Sequence, residues 1–97
     1  MAAAAAVRDG KVVVHFRHVG SAPILKQQKY TVPSDAKFST VTALLRKRLE
    51  LGDGEPLFLY CHSAFAPPPD ELVADVAACF HTNGTLVLNY SLQPAWG

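Results

Sequence analysis

Strong bases are missing from the second half of this chain. All nine Lys and Arg lie in residues 1–50 beside only three acids, while residues 51–97 hold five acids and no Lys or Arg. The overall net charge of +1 gives no reason to expect a nucleic-acid partner. Two readings of the uneven halves stay open: a basic and an acidic face that bias encounter with complementary partners, or solvated charge spread unevenly along the chain. Cysteine is also scarce, with Cys61 and Cys79 alone and no secretory signature, so reduced cytosolic thiols are expected. Cys61-His62 and Cys79-Phe80-His81 do not have the spacing of a zinc knuckle, so no metal is expected. Neither pair has the electropositive setting and orienting group that a cysteine nucleophile needs, and buried structural thiols are expected instead. No Gly-rich phosphate loop followed by Lys-Ser/Thr is present, which argues against ATP binding and leaves no cofactor and no catalytic residue to name. No apolar run approaches the ~20 residues of a membrane-spanning helix, so a soluble chain is expected.

What is present fits one domain. Ninety-seven residues at 49% apolar content are enough for a single core and too few for a second. Residues 1–10 open on Met1 and five alanines and read as a disordered leader. Val12, Val14 and Phe16 alternate with polar neighbours, the period of a strand. After the Gly20-Ser21-Ala22-Pro23 turn, Ile24 to Val32 reads as the lysine-bearing edge strand of a hairpin, with the face of Tyr30 left open by the pattern. Val41, Leu44, Leu45 and Leu49 then draw a helical stripe, capped by Ser39 or Thr40 and ended by Gly52-Asp53-Gly54. Leu57 to Cys61 is a short, continuously apolar strand. A loop stiffened by Pro67-Pro68-Pro69 follows, and Asp70 can cap a second, shorter helix through Leu72, Val73, Val76, Ala77 and Phe80. Asn83-Gly84 turns the chain into a last alternating strand, Leu86/Leu88/Tyr90.

This order predicts an α+β domain over residues 11–90: a four-stranded mixed sheet with one long and one short helix, the first and last strands parallel in the middle. That is the β-grasp, or ubiquitin-like, plan. Residues 91–97 continue from the last strand as an uncharged, flexible tail ending at Gly97, with a reach of about 23 Å at roughly 3.3 Å per residue. A glycine without a Cβ suits a narrow channel in which another group approaches its carbonyl.

Several stretches carry a more specific resemblance. Val19-Gly20 with Pro23-Ile24, Leu57 to Tyr60, Phe65-Ala66-Pro67 with Pro69-Asp70, Cys79-Phe80, Gly84 with Leu86-Val87-Leu88, and the ending Ala95-Trp96-Gly97 together resemble the autophagy-related protein 12 family of ubiquitin-like modifiers. The ending discriminates best, because ubiquitin and most of its relatives finish on two glycines. The resemblance implies conjugation through Gly97, activated by autophagy-related protein 7, carried by autophagy-related protein 10 and joined by an isopeptide bond to a lysine of autophagy-related protein 5. With autophagy-related protein 16, that conjugate would promote transfer of autophagy-related protein 8 to phosphatidylethanolamine. The chain itself would act in the cytoplasm, meet the forming autophagosome membrane only through the assembly, and be no enzyme. Ala95 and Trp96 would dock the tail, with Trp96 either anchoring in a partner's pocket or packing back on its own domain. Lys11, Lys29 and Tyr30 match the family's surface for autophagy-related protein 3. Phe65, a large apolar side chain on a stiff loop, is a further candidate contact, or else packs beneath that loop. The competing function is a noncovalent β-grasp interaction module in which Gly97 plays no part.

Overall fold

The computed structural model describes residues 7, 9–20, 22–52, 54–61 and 65–93. Two alternating apolar segments set its centre. In β1 (Lys11–His18) Val12, Val14 and Phe16 are buried, and in β5 (Thr85–Ser91) Leu86, Leu88 and Tyr90 are buried. The two strands pair in parallel, Val14 opposite Leu86 and His18 opposite Tyr90, which brings both apolar rows onto one face. β2 (Lys29–Pro33) lies antiparallel on the outer side of β1, and β3 (Phe58–Cys61) lies antiparallel on the far side of β5. The path is therefore β2-β1-β5-β3, with parallel strands flanked by antiparallel ones, the β-grasp arrangement expected from the sequence. A fifth strand raises the expected count of four: β4 (His81–Thr82) pairs with the start of β5 across the Asn83-Gly84 turn. Both turn residues have positive φ, +52° and +81°, as this tight hairpin requires.

Helix α1 (Phe38–Arg48) covers the apolar face with Phe38, Val41 and Leu45. The shorter α2 (Val73–Phe80) adds Val73, Val76 and Ala77. Leu44, Leu49 and Phe80 complete the two expected stripes as half-buried residues packed against the core. Leu72 departs from its expected role, since it precedes α2 and is 39% exposed. The strand expected over Ile24 to Val32 forms only from Lys29 onward. Residues 22–28 instead fold across the end of the sheet, where Ala22 and Leu25 are buried and the Pro23 carbonyl accepts a hydrogen bond from the Tyr90 hydroxyl. That bond gives the buried phenol of Tyr90 the partner its polar tip needs.

The side-chain caps expected at both helices are not used. Lys37 precedes α1 and Leu72 precedes α2, and neither Ser39, Thr40 nor Asp70 supplies a cap. Backbone carbonyls take that place reciprocally. The amides of Phe38 and Ser39 donate to the carbonyls of Glu71 and Pro69, each at 2.8 Å, while those of Val73 and Ala74 donate to Ala36 and Ser34 at 2.8 and 3.1 Å. Each segment leading into one helix thus satisfies the orphan donors of the other.

Helix α1 also closes two residues before the first of its expected terminating glycines, Gly52. Glu50 takes the left-handed position at φ +57°, its amide donating to Lys47 at 3.2 Å and that of Leu51 to Arg46 at 3.1 Å, the paired bonds of a Schellman turn. A side chain in that conformation is strained by about 1 kcal/mol relative to glycine. Glu50→Gly is therefore expected to stabilise the domain by up to about 1 kcal/mol, offset in part by the added freedom of the unfolded chain. A rise in the urea midpoint with unchanged slope checks it.

Candidate functional site

The tail residues Ala95, Trp96 and Gly97 lie outside the described residues. Their root does not. Tyr90 is 1% exposed and Leu88 fully buried, so the chain leaves the domain from a strand fixed between two neighbours. Leu92 still packs against the core, and the Gln93 amide donates to the Ser91 hydroxyl oxygen at 3.0 Å, continuing the order past the strand. Of the expected leader, Val7 packs against the core, and the Gly10 carbonyl accepts from the Ser34 amide at 2.8 Å.

The four residues expected to form a partner surface occupy three places. Register decides the first two. Lys11 pairs with Pro33 and Lys29 with His15, so both lysines stand on the sheet face away from the helices, four residues apart along β1 or about 13 Å. Exposed Val13 and Thr31 lie between them. Tyr30 pairs with Val14 and so turns to the opposite, helix-covered face, settling what the pattern left open. There its ring tilts against Phe16 at 5.8 Å between centroids, and the Arg48 guanidinium sits 5.6 Å from its centre. That is cation–π range, and Arg48 carries no local sign in the sequence that it serves Tyr30. Tyr30 and Arg48 line a 420 Å³ concavity with Ile24 and Lys26, whereas Lys11 lines a separate one of 380 Å³ with Asp9 and Asn83. The edge of β2 is the only feature common to Lys29 and Tyr30.

Phe65 lies well away, beyond the end of β3. Its amide and carbonyl both bond to Cys61, at 3.3 and 2.6 Å, fixing the residue although its side chain is 46% exposed. The ring stacks on Phe80 at 4.9 Å between centroids with 20° between planes. Fifteen positions separate the two, and no local pattern links them. Phe65 is thus neither free nor tucked beneath its loop, but one wall of a small groove against α2.

The thiols divide. Cys61 is fully buried in β3, and burial pushes its pKa up to about 11. It stays protonated at neutral pH and is a poor nucleophile or metal ligand. Cys79, expected to be buried, is exposed on α2. No group of three or more His, Cys, Asp or Glu among the described residues is arranged to hold a metal ion.

The comparisons with known proteins agree with this architecture. Residues 11–97 match the family described as ubiquitin-like autophagy protein Apg12. The chain is 44% identical over 95 residues to the ubiquitin-like protein ATG12 of Oryza sativa, covering 98% of this chain and 99% of that one. It is 43% identical over 97 residues to that of Neosartorya fischeri, where it spans all of this chain and 56% of the relative, about half the fungal protein's length. Among solved structures, Trypanosoma brucei ATG8 superposes with a TM-score of 0.78 at 26% identity over 84% of this chain and 72% of that one.

Two outcomes follow from the thiols. In the native protein iodoacetamide is expected to modify Cys79 and spare Cys61 until the domain unfolds, as peptide mass mapping would read. Folding holds the Cys61 proton more tightly than the unfolded chain, whose thiol has the ordinary value of 9.0. Its contribution to stability is therefore complete below pH ~9 and is lost as pH rises through about 11. Burial raises the Tyr90 phenol as well, partly countered by a backbone hydrogen bond from Leu25, and adds to the same alkaline decline. Urea midpoints measured between pH 8 and 11 should fall for the wild type and fall less for Cys61→Val.

Proposed function

Because the chain belongs to the family of the ubiquitin-like autophagy protein Apg12, we propose that it acts as a protein modifier whose reactive atom is the carbonyl carbon of Gly97. The observation that carries this reading is the burial of β5. Leu86, Leu88 and Tyr90 lock the last strand into the centre of the sheet, so the tail's root at Ser91 is rigidly held, as suits an enzyme that must find the terminal carboxylate. A carboxylate is ionised at neutral pH and too poor an electrophile for an amine to attack. It first takes the adenylyl group of ATP, releasing pyrophosphate. The thiolate of an activating enzyme then displaces AMP to form a thioester, and a lysine amine finally displaces the thiol to give an isopeptide bond.

In this scheme autophagy-related protein 7 activates the chain, autophagy-related protein 10 carries it, and a lysine of autophagy-related protein 5 receives it. The conjugate, with autophagy-related protein 16, promotes lipidation of autophagy-related protein 8 on the forming autophagosome. The chain supplies no catalysis of its own and reaches the membrane from the cytoplasm only within that assembly. Ala95 and Trp96 seat the tail on its enzymes. Lys11 and Lys29 on the open sheet face, with Tyr30 around the β2 edge, meet autophagy-related protein 3, and Phe65 supplies a separate contact.

Incubation with the activating enzyme and ATP should yield a band that survives a non-reducing gel and disappears with reductant. Deleting Gly97 should abolish it. A full-strength band from the deletion variant would refute conjugation through Gly97, and absence of any band from the wild-type chain with a functional enzyme would leave a noncovalent interaction module as the better reading. Lys29→Glu should reduce lipidation several-fold in a reconstituted reaction while leaving that thioester intact. Equal loss of both would trace the defect to folding instead.

A further inference from the structure

The groove beside Phe65 has a chemistry of its own. Its floor and walls are Phe65, Val76, Cys79 and Phe80, and the charged residues lining it are Glu71 and Asp75, both acidic. Asp75 and Cys79 lie one helical turn apart on α2, as do Val76 and Phe80, so a row holding one carboxylate runs beside an apolar one. The volume is 140 Å³, close to that of a cavity which takes one benzene-sized ring. Phe65 is held in place before any partner arrives, by its two backbone bonds to Cys61 and by its stacking on Phe80. A preformed apolar slot of one-side-chain size, with carboxylates at its rim, favours a particular occupant.

We infer that this groove docks a segment of a partner protein that presents one aliphatic or aromatic side chain flanked by lysine or arginine. The inference rests on the reading of Phe65 as a partner contact and gives that partner its chemistry. The anchor fills the slot against Val76 and Phe80. The flanking cations meet Glu71 and Asp75, and their methylene stems lie on the exposed Phe65 ring, where a guanidinium also gains cation–π attraction. Charge selects the occupant: the charged residues lining the groove are Glu71 and Asp75, so an acidic segment would be repelled from it.

Selection of a random dodecapeptide phage library on the full-length chain tests it, with Asp75→Lys, Asp75→Asn and Phe65→Ser chains selected in parallel. The wild type should enrich peptides with an apolar residue between Lys or Arg. Asp75→Asn should weaken that enrichment several-fold, Asp75→Lys should shift it toward acidic flanks, and Phe65→Ser should lose it. The far-ultraviolet circular dichroism of each variant shows whether it has folded, and Asp75→Asn carries the charge test if Asp75→Lys does not fold. Enrichment indifferent to flanking charge, with Phe65 still required, overturns the inference while sparing Phe65 as a contact. Enrichment indifferent to Phe65 overturns both. Self-association of the wild-type chain in sedimentation, lost in Asp75→Lys, would place a second copy in the groove and overturn the inference as well. None of these readouts depends on Gly97, so the conjugation reading stands or falls separately.

Discussion

The parallel pairing of β1 with β5 is the constraint on which everything else rests. It joins residues 13–18 to residues 85–90, nearly the two ends of the domain, and buries both apolar rows completely or almost so. Neither β2 nor β3 has a sheet to join until that pair exists, and neither helix has an apolar face to cover. Such non-local closure costs chain entropy before it is repaid by burial. The same pairing fixes the root of the tail, because the strand it locks is the one from which residues beyond Ser91 extend. A chain end starting from an outer strand or a loop would have no comparable base.

Much of this was legible in the residues, and the exceptions share a cause. Period-two burial at Val12, Val14 and Phe16, and again at Leu86, Leu88 and Tyr90, marked the central strands, and i, i+4 spacing marked both helices. The helix starts depart from expectation because their donors are satisfied by carbonyls thirty or more residues away, where no neighbouring Ser, Thr or Asp is needed. The end of α1 was misread because Glu50 accepts a conformation that glycine usually takes. Around the candidate site, Lys11, Lys29 and Phe65 are exposed; the lysines are picked out by the family resemblance, and for Phe65 the sequence leaves exposure and packing beneath its loop both open. The side taken by Tyr30 needed the β1–β2 register, however, and the partnership of Phe65 with Phe80 needed the tertiary fold. The described residues do not reach the tail's final four positions, so the geometry around Gly97 rests on family membership and chemistry.

The fold interleaves the unequal halves of the sequence, since β1 pairs with β5. Lys11 and Lys29 lie on the sheet face away from the helices, with Asp9 beside Lys11, and Lys26 and Arg48 line the concavity beside Tyr30 together with Glu50. Glu71 and Asp75 rim the groove against α2. Attachment through a tail, as proposed above, would leave each of these patches accessible. Long-range charge would then set which partner approaches from which side, and the apolar residues within each patch would set how long it stays.

The exchange of backbone bonds between the segments leading into α1 and α2 binds the fates of two elements that share no strand. Displacing residues 34–39 would break all four bonds together, freeing the amides of Val73 and Ala74 as well as the carbonyls of Glu71 and Pro69. The two helix starts are thus joined through backbone bonds, with Pro69 of the loop before α2 held by the Ser39 amide, the kind of linkage expected of one cooperative unit. Any partner that grips one helix start therefore steadies the other at a distance, without touching it.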